Sequence, residues 1–249
     1  MSVQSLGEHK VWDVPTRLFH WINFVCFVAL IAIGTALLFD EALGVSSGGK
    51  VLLKTVHVWF GYVLATNLAI RLIWAFFGNR FARWPAFLPF GRRYFCELKR
   101  YLSGLFRGGA PAYMGHNPIA KVMVFVLLLA LCSQAVTRLV LAGTDIFFPP
   151  FGQMIAGWVA SAGVDPLTLV PYDKTGIDPQ AWAEMRAFRV PFITVHYYGF
   201  YVLLIAAGLH IVAVIVTELS ERGSIVSAMI TGRKVLDRPP VDGDPEADA

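Results

Sequence analysis

Four of the six histidines, His20, His57, His196 and His210, stand inside long apolar runs, where an ionisable side chain is costly and marks function. His9 and His116 lie outside those runs. His196 and His210 are 14 residues apart. On a helix that is a rise of roughly 21 Å and a rotation about 40° short of four turns, so both imidazoles face one way at two depths. A lone intramembrane histidine is as readily explained by an interhelical hydrogen bond. Four at these positions point instead to ligands for a metal.

The elements that must position them are helices. Four segments reach the roughly 20 apolar residues needed to cross a bilayer: residues 18–39, 51–77, 119–141 and 190–217. His20 and His57 lie near the starts of the first two spans. Up-and-down threading then sets His20 level with His210, and His57 level with His196. Two histidines from different helices at one depth suit a metal whose remaining donors come from elsewhere. Haem iron fits, because the porphyrin supplies four nitrogens. Zinc needs further protein ligands, and no Asp, Glu or Cys is expected at those depths. The reading is two noncovalent, bis-histidine b-type haems, one at each level. Arg71, 14 residues after His57, reaches the level of His20 and His210 and is the candidate partner for one haem propionate. Arg138 is the candidate for the other, with snorkelling to the interface as the competing account of both. Gly34, Gly61, Gly199 and Gly208 stand where small residues would make room between helices.

Composition agrees with a membrane protein. The chain has 249 residues, of which 56% are hydrophobic and only 15% charged, against about a quarter charged in soluble domains; mean hydropathy is +0.59. The net charge of +4 is small and its basic residues flank spans, which argues against nucleic-acid binding. Cys26, Cys96 and Cys132 have no metal or redox spacing, and no CxxCH is present for covalent haem attachment. Residues 78–121 carry eight Lys and Arg against one acid, Glu97, whereas residues 142–190 carry three against five acids. The positive-inside rule puts the connection of residues 78–121 and both termini in the cytoplasm, and residues 142–190 outside. Residues 91–106 read as an interfacial helix. The outer loop, 142–189, reads as two short helices, one starting at Asp178-Pro179 and one an apolar stretch, 151–162, suited to the bilayer surface. The fold class is an all-α integral-membrane four-helix bundle, one domain over 1–238, followed by an acidic tail, 239–249, expected to be disordered.

The sequence resembles a known family. VWDVPTRLFHW near the start, HVWFGY around His57, FFGNR after the second span, GHNPIAK before the third, and HYYGFYVLLIAAGLH followed by GSIVSAMITGRK near the end are similar to the b-type cytochrome subunit of nickel–iron hydrogenases and to related prokaryotic di-haem cytochromes b. The resemblance covers the chain except residues 142–190, which are longer than the family pattern and rich in Pro and aromatic side chains. It implies that His20, His57, His196 and His210 are haem ligands. It also implies electron transfer between a periplasmic redox partner and the membrane quinone pool.

The expected protein is therefore an electron-transfer subunit of the bacterial inner membrane rather than an enzyme with its own active site. A hydrogenase-like protein or a cytochrome c would dock on 142–189, and quinone would react near the cytoplasmic face, where lipid, Trp12, Asp13 and His116 meet. His116 is the candidate for a proton-handling role there, against an ordinary turn role in GHNP. Two alternatives differ in kind: a stand-alone quinol-oxidising or oxidant-scavenging cytochrome, and a haem-free anchor or transporter.

Overall fold

The structure, a computed structural model, describes residues 7–107, 109, 111–221 and 224–243. Four long helices carry most of it: α1 (Val14–Leu38), α2 (Ser47–Phe77), α5 (Pro118–Ile146) and α7 (Pro179–Glu221). Each is long and apolar enough to cross a membrane. Their outward side chains, among them Val25, Ile73, Phe76, Val202 and Ile205, are exposed; in a bilayer lipid covers such a surface. Shorter helices are α3 (Trp84–Phe87), α4 (Gly91–Phe106), α6 (Gly152–Val159) and α8 (Ile225–Thr231).

The first two spans lie close to their expected bounds, and α4 coincides with the expected interfacial helix. The last two differ. α5 runs on to Ile146, and α7 starts at Pro179 and continues without a break through Pro191. The second short helix expected in the outer loop is thus the first part of α7. Its start is as the residues predict: Asp178 Oδ1 accepts from Ala181 N at 2.8 Å, and Pro179 occupies the first helical position, where a missing N–H costs nothing. Of the charges there that look like loop residues, Arg189 is neutralised where it stands, by Asp145, which also binds Lys54 of α2.

The chain divides into two compact units. One comprises residues 1–21, 69–129 and 203–249. In it β1 (Gly7–Lys10) pairs antiparallel with β2 (Arg233–Leu236), Gly7 opposite Leu236 and Lys10 opposite Arg233, a small ribbon added to the helical fold. Val11, Phe81, Met114 and Leu236 form its core beside Trp12. Asp13 caps α1 by accepting from Thr16 N at 2.9 Å, and its other oxygen accepts from Trp74 Nε1 and Asn79 N, both at 3.1 Å. Asn79 Nδ2 returns a bond to Val11 O at 2.6 Å. The VWDVP and FFGNR stretches are therefore one interlocked structure. Gly232, at φ +83°, ends α8, and its carbonyl receives Val11 N and Trp12 N; a Cβ there would stand 2.7 Å from Trp12 O. Beyond Arg238 the chain stays bound as far as it is described: Asp242 accepts from Met114 N at 2.6 Å and Gly115 N at 2.9 Å. Residues 244–249 of the expected tail, and Arg222, lie outside the described residues.

The other unit comprises residues 22–68 and 130–202. Here α6 packs Ile155, Ala156 and Val159 against Leu169 and Met185 in a small core of its own, while Met154 and Trp158 remain exposed. The stretch expected to lie on the bilayer thus turns half of its apolar surface into the protein. A second cluster joins Val58 of α2 to Ala142 and Ile146 of α5.

Candidate functional site

In the unit of residues 22–68 and 130–202, α2 and α7 bring the rings of His57 and His196 together in a T-shaped arrangement. Their ring centroids are 6.3 Å apart with planes at 72°. Two imidazoles holding one metal through nitrogen bonds of about 2.0 Å would have ring centres about 6 Å apart. His57 is buried, and its Nδ1 has no hydrogen-bond partner. Gly34 of α1 makes room for it: a Cβ there would stand 3.4 Å from His57 Cε1.

α5 carries no histidine, yet three of its residues surround this pair. Arg138 is buried; its Nη2 donates to Lys54 O at 3.4 Å and its Nε is unpartnered. A Cβ at Gly61 would lie 3.3 Å from Arg138 Cγ, so Gly61 gives the arginine its place. Thr137 Oγ1 lies 3.0 Å from His196 Nδ1, and Gln134 Nε2 donates to His196 O at 3.2 Å. Toward the end of α5, the Asp145 carboxylate takes Arg189 Nε at 2.6 Å and Nη2 at 3.2 Å, together with Lys54 Nζ at 2.9 Å. Sequence reasoning missed Gln134, Thr137 and Asp145. The available signal was polar side chains at i, i+3 and i+4 on an otherwise apolar helix, which places 134, 137 and 138 on one face.

In the unit of residues 1–21, 69–129 and 203–249, His20 and His210 lie near enough for a charge on one to be felt at the other. His20 Nδ1 is enclosed without a hydrogen-bond partner. Arg71 belongs to the same unit; its Nη2 donates to Ala82 O at 3.1 Å and its guanidinium lies 5.1 Å from the Phe87 ring centre. His116 packs on Trp12 with ring centroids 4.9 Å apart, its Nδ1 enclosed and unpartnered. Burial, reinforced by the charges of Arg71, Lys121 and Lys234, pushes the His116 pKa down to about 3, so the ring is neutral at physiological pH. Burial would raise the Asp13 pKa, but the hydrogen bonds from Thr16, Asn79 and Trp74 outweigh it and hold the carboxyl below its ordinary range. Asp13 is thereby committed to the fold. Gly208, expected to make room beside His210, has open space where a Cβ would go.

Among the described residues no three His, Cys, Asp or Glu side chains cluster to hold a metal ion. The donor sets on offer are pairs of histidines, which suits a metal that arrives with four donors of its own.

Residues 11–232 match the sequence family described as prokaryotic cytochrome b561. The chain belongs to this family. Among its relatives, a protein of Bradyrhizobium diazoefficiens named a probable Ni/Fe-hydrogenase B-type cytochrome subunit is 26% identical over 236 residues, covering 90% of this chain and 85% of the relative. A protein of the same description from Cupriavidus necator is 25% identical over 243 residues, covering 94% and 90%. The Escherichia coli K12 protein named a probable Ni/Fe-hydrogenase 1 B-type cytochrome subunit is 30% identical over 132 residues, covering 49% of this chain and 54% of its own. As a family member this cytochrome is a membrane-bound electron-transfer protein of the b type, and its implied cofactor is haem b. The residues present fit that group. The paired rings of His57 and His196, the glycine at position 34 beside His57 and the unpartnered Arg138 Nε are what a noncovalent porphyrin between helices asks for.

Proposed function

We propose that this cytochrome holds two haem b groups and carries electrons across the bacterial inner membrane between a periplasmic redox protein and the quinone pool. The observation that carries the reading is the His57–His196 pair at 6.3 Å. His20 and His210 form the corresponding pair in the other unit. Bound haem supplies a one-electron Fe(III)/Fe(II) couple whose potential answers to axial ligand, hydrogen bonding and burial.

The chain's own residues do the rest. His57 and His196 hold one iron; His20 and His210 hold the other. Arg138 keeps an unpartnered guanidinium nitrogen for a propionate, and Arg71 is the candidate for the same part in the unit of His20 and His210. The apolar walls of the helices exclude water and lower the local dielectric. The excess of Lys and Arg in residues 78–121 supports a cytoplasmic placement for that connection and for the His20–His210 level. His116, held neutral beside Trp12, is then placed to relay a proton from one ring nitrogen to the other during quinone chemistry at that face. Residues 142–189 form the surface where a periplasmic partner docks. The names of the relatives favour a nickel–iron hydrogenase as that partner, and a cytochrome c is the other chemistry that suits the surface.

The test is haem content per chain, from the reduced-minus-oxidised spectrum of detergent-purified protein expressed with ample haem. About two b-type haems per chain are expected, one for each histidine pair. A haem-free sample overturns the reading.

A further inference from the structure

We infer that Thr137 is the positioning residue that sets the tautomer of His196 and, resting on the two-haem reading above, the reduction potential of the haem His196 holds. The argument starts from a count of protons. A threonine hydroxyl has one proton and two lone pairs. Thr137 Oγ1 lies 2.8 Å from Ser133 O and 3.1 Å from Gln134 O, both acceptors, so its proton is spent along its own helix. Its third neighbour, His196 Nδ1 at 3.0 Å, then faces a lone pair. With the hydroxyl proton directed to Ser133 O, the nearest of the three acceptors, the imidazole is assigned as the donor. His196 is thereby held with its proton on Nδ1, and Nε2 keeps the lone pair that a metal needs.

The carbonyl of the same residue is held as well. Gln134 Nε2 donates to His196 O, and it reaches there because residue 199 is glycine: a Cβ at Gly199 would lie 2.1 Å from that nitrogen. Backbone and ring of His196 are thus gripped from α5 by residues one turn apart. His57, by contrast, has an unpartnered Nδ1. The two ligands of this pair therefore differ in donor strength. A ligating histidine that gives its second N–H to an acceptor becomes the more basic ligand and stabilises the oxidised metal.

The test is a redox titration of the purified holoprotein with Thr137→Val and Thr137→Ser beside wild type. Valine keeps the shape and removes the acceptor; serine keeps the acceptor. The Thr137→Val protein is expected to retain both haems and to show one of its two reduction steps shifted upward. The shift corresponds to several-fold and up to about tenfold in the Fe(III)/Fe(II) equilibrium, where tenfold is about 59 mV for one electron. The other step stays in place, and Thr137→Ser titrates as wild type. Loss of one haem in Thr137→Val with both kept in Thr137→Ser supports the same role. Wild-type potentials in Thr137→Val, or equal shifts in the two variants, overturn it, since a threonine that merely bonds back along α5 leaves the iron indifferent to the hydroxyl. A wild-type protein without haem refutes the two-haem reading instead, so the two failures are distinct.

Discussion

Asp145 binds Arg189 through both carboxylate oxygens, at 2.6 and 3.2 Å, with the aspartate side chain 6% and the arginine side chain 12% exposed. Lys54 takes the same carboxylate, so one buried anion serves two cations from α2 and α7. Removing it leaves both unpaired. Asp145→Asn should cost about 3–5 kcal/mol, the range for breaking a buried pair by deleting one partner. Arg189→Lys keeps the charge but loses the two-pronged bond, and should cost about 1 kcal/mol. Thermal denaturation in detergent reads both; equal melting temperatures for wild type and Asp145→Asn would remove the cluster's structural role.

The proposed pairing of ligands predicts a specific genetic pattern. His57→Ala and His196→Ala should each abolish the same haem, and His20→Ala and His210→Ala the other one. The double variant His57→Ala/His196→Ala should lose no more haem than either single variant. Haem quantitation with redox titration of the five proteins decides it, and a His57 variant that lost the same component as His20 would break the assignment.

Glycines divide into two groups with opposite expectations. At Gly152 a Cβ would stand 1.9 Å from Phe147 O and 2.2 Å from Phe147 C, and backbone does not move aside as a side-chain tip does. Gly152→Ala should strongly reduce the yield of folded protein. At Gly157, exposed inside α6 and away from the histidines, nothing lies within 4 Å. Gly157→Ala should leave haem content unchanged and, by helix propensity, stabilise α6 by up to about 1 kcal/mol. Size-exclusion profiles and haem content of the two variants test the contrast.

His116 gives a pH signature. Its folded-state pKa is depressed from 6.5 to about 3, so between those values the unfolded chain binds the extra proton and the folded chain does not. Stability from this group is full above about pH 6.5 and is lost as the pH falls toward 3. The melting temperature of wild type should therefore drop on acidification through this window, and His116→Gln should drop less steeply. Parallel curves would show that the ring is not held neutral by its surroundings.

The parts of this protein that could be read in the residues were those with a long-range repeat. His196 and His210 share a helix face by simple rotation, and their partners follow from threading, because membrane helices run back and forth. The α4 helix was legible because apolar and basic residues alternate around it. The bounds of α7 were hidden by Glu184, Arg186, Arg189 and Pro191, which resemble a loop until Asp145, 44 residues earlier, is seen to neutralise Arg189. The roles of Thr137 and Gln134 were hidden for a similar reason: nothing local says which helix a threonine faces. The burial of Ile155 and Val159 against Leu169 and Met185 likewise depends on residues distant in sequence.

α7 extends for 43 residues as one helix. That is roughly 65 Å, about twice the hydrocarbon thickness of a bilayer. It is a rod rather than a tether. Between its tip at Pro179 and His196 there is no loop to absorb a push or a twist, so a protein seated on the tip has a stiff mechanical line to an imidazole. One rung of that ladder is missing, since Pro191 has no N–H to give to the carbonyl of Ala187. The weakest point of the rod thus falls five residues before His196, where a small bend at the surface becomes a tilt of the His196 ring.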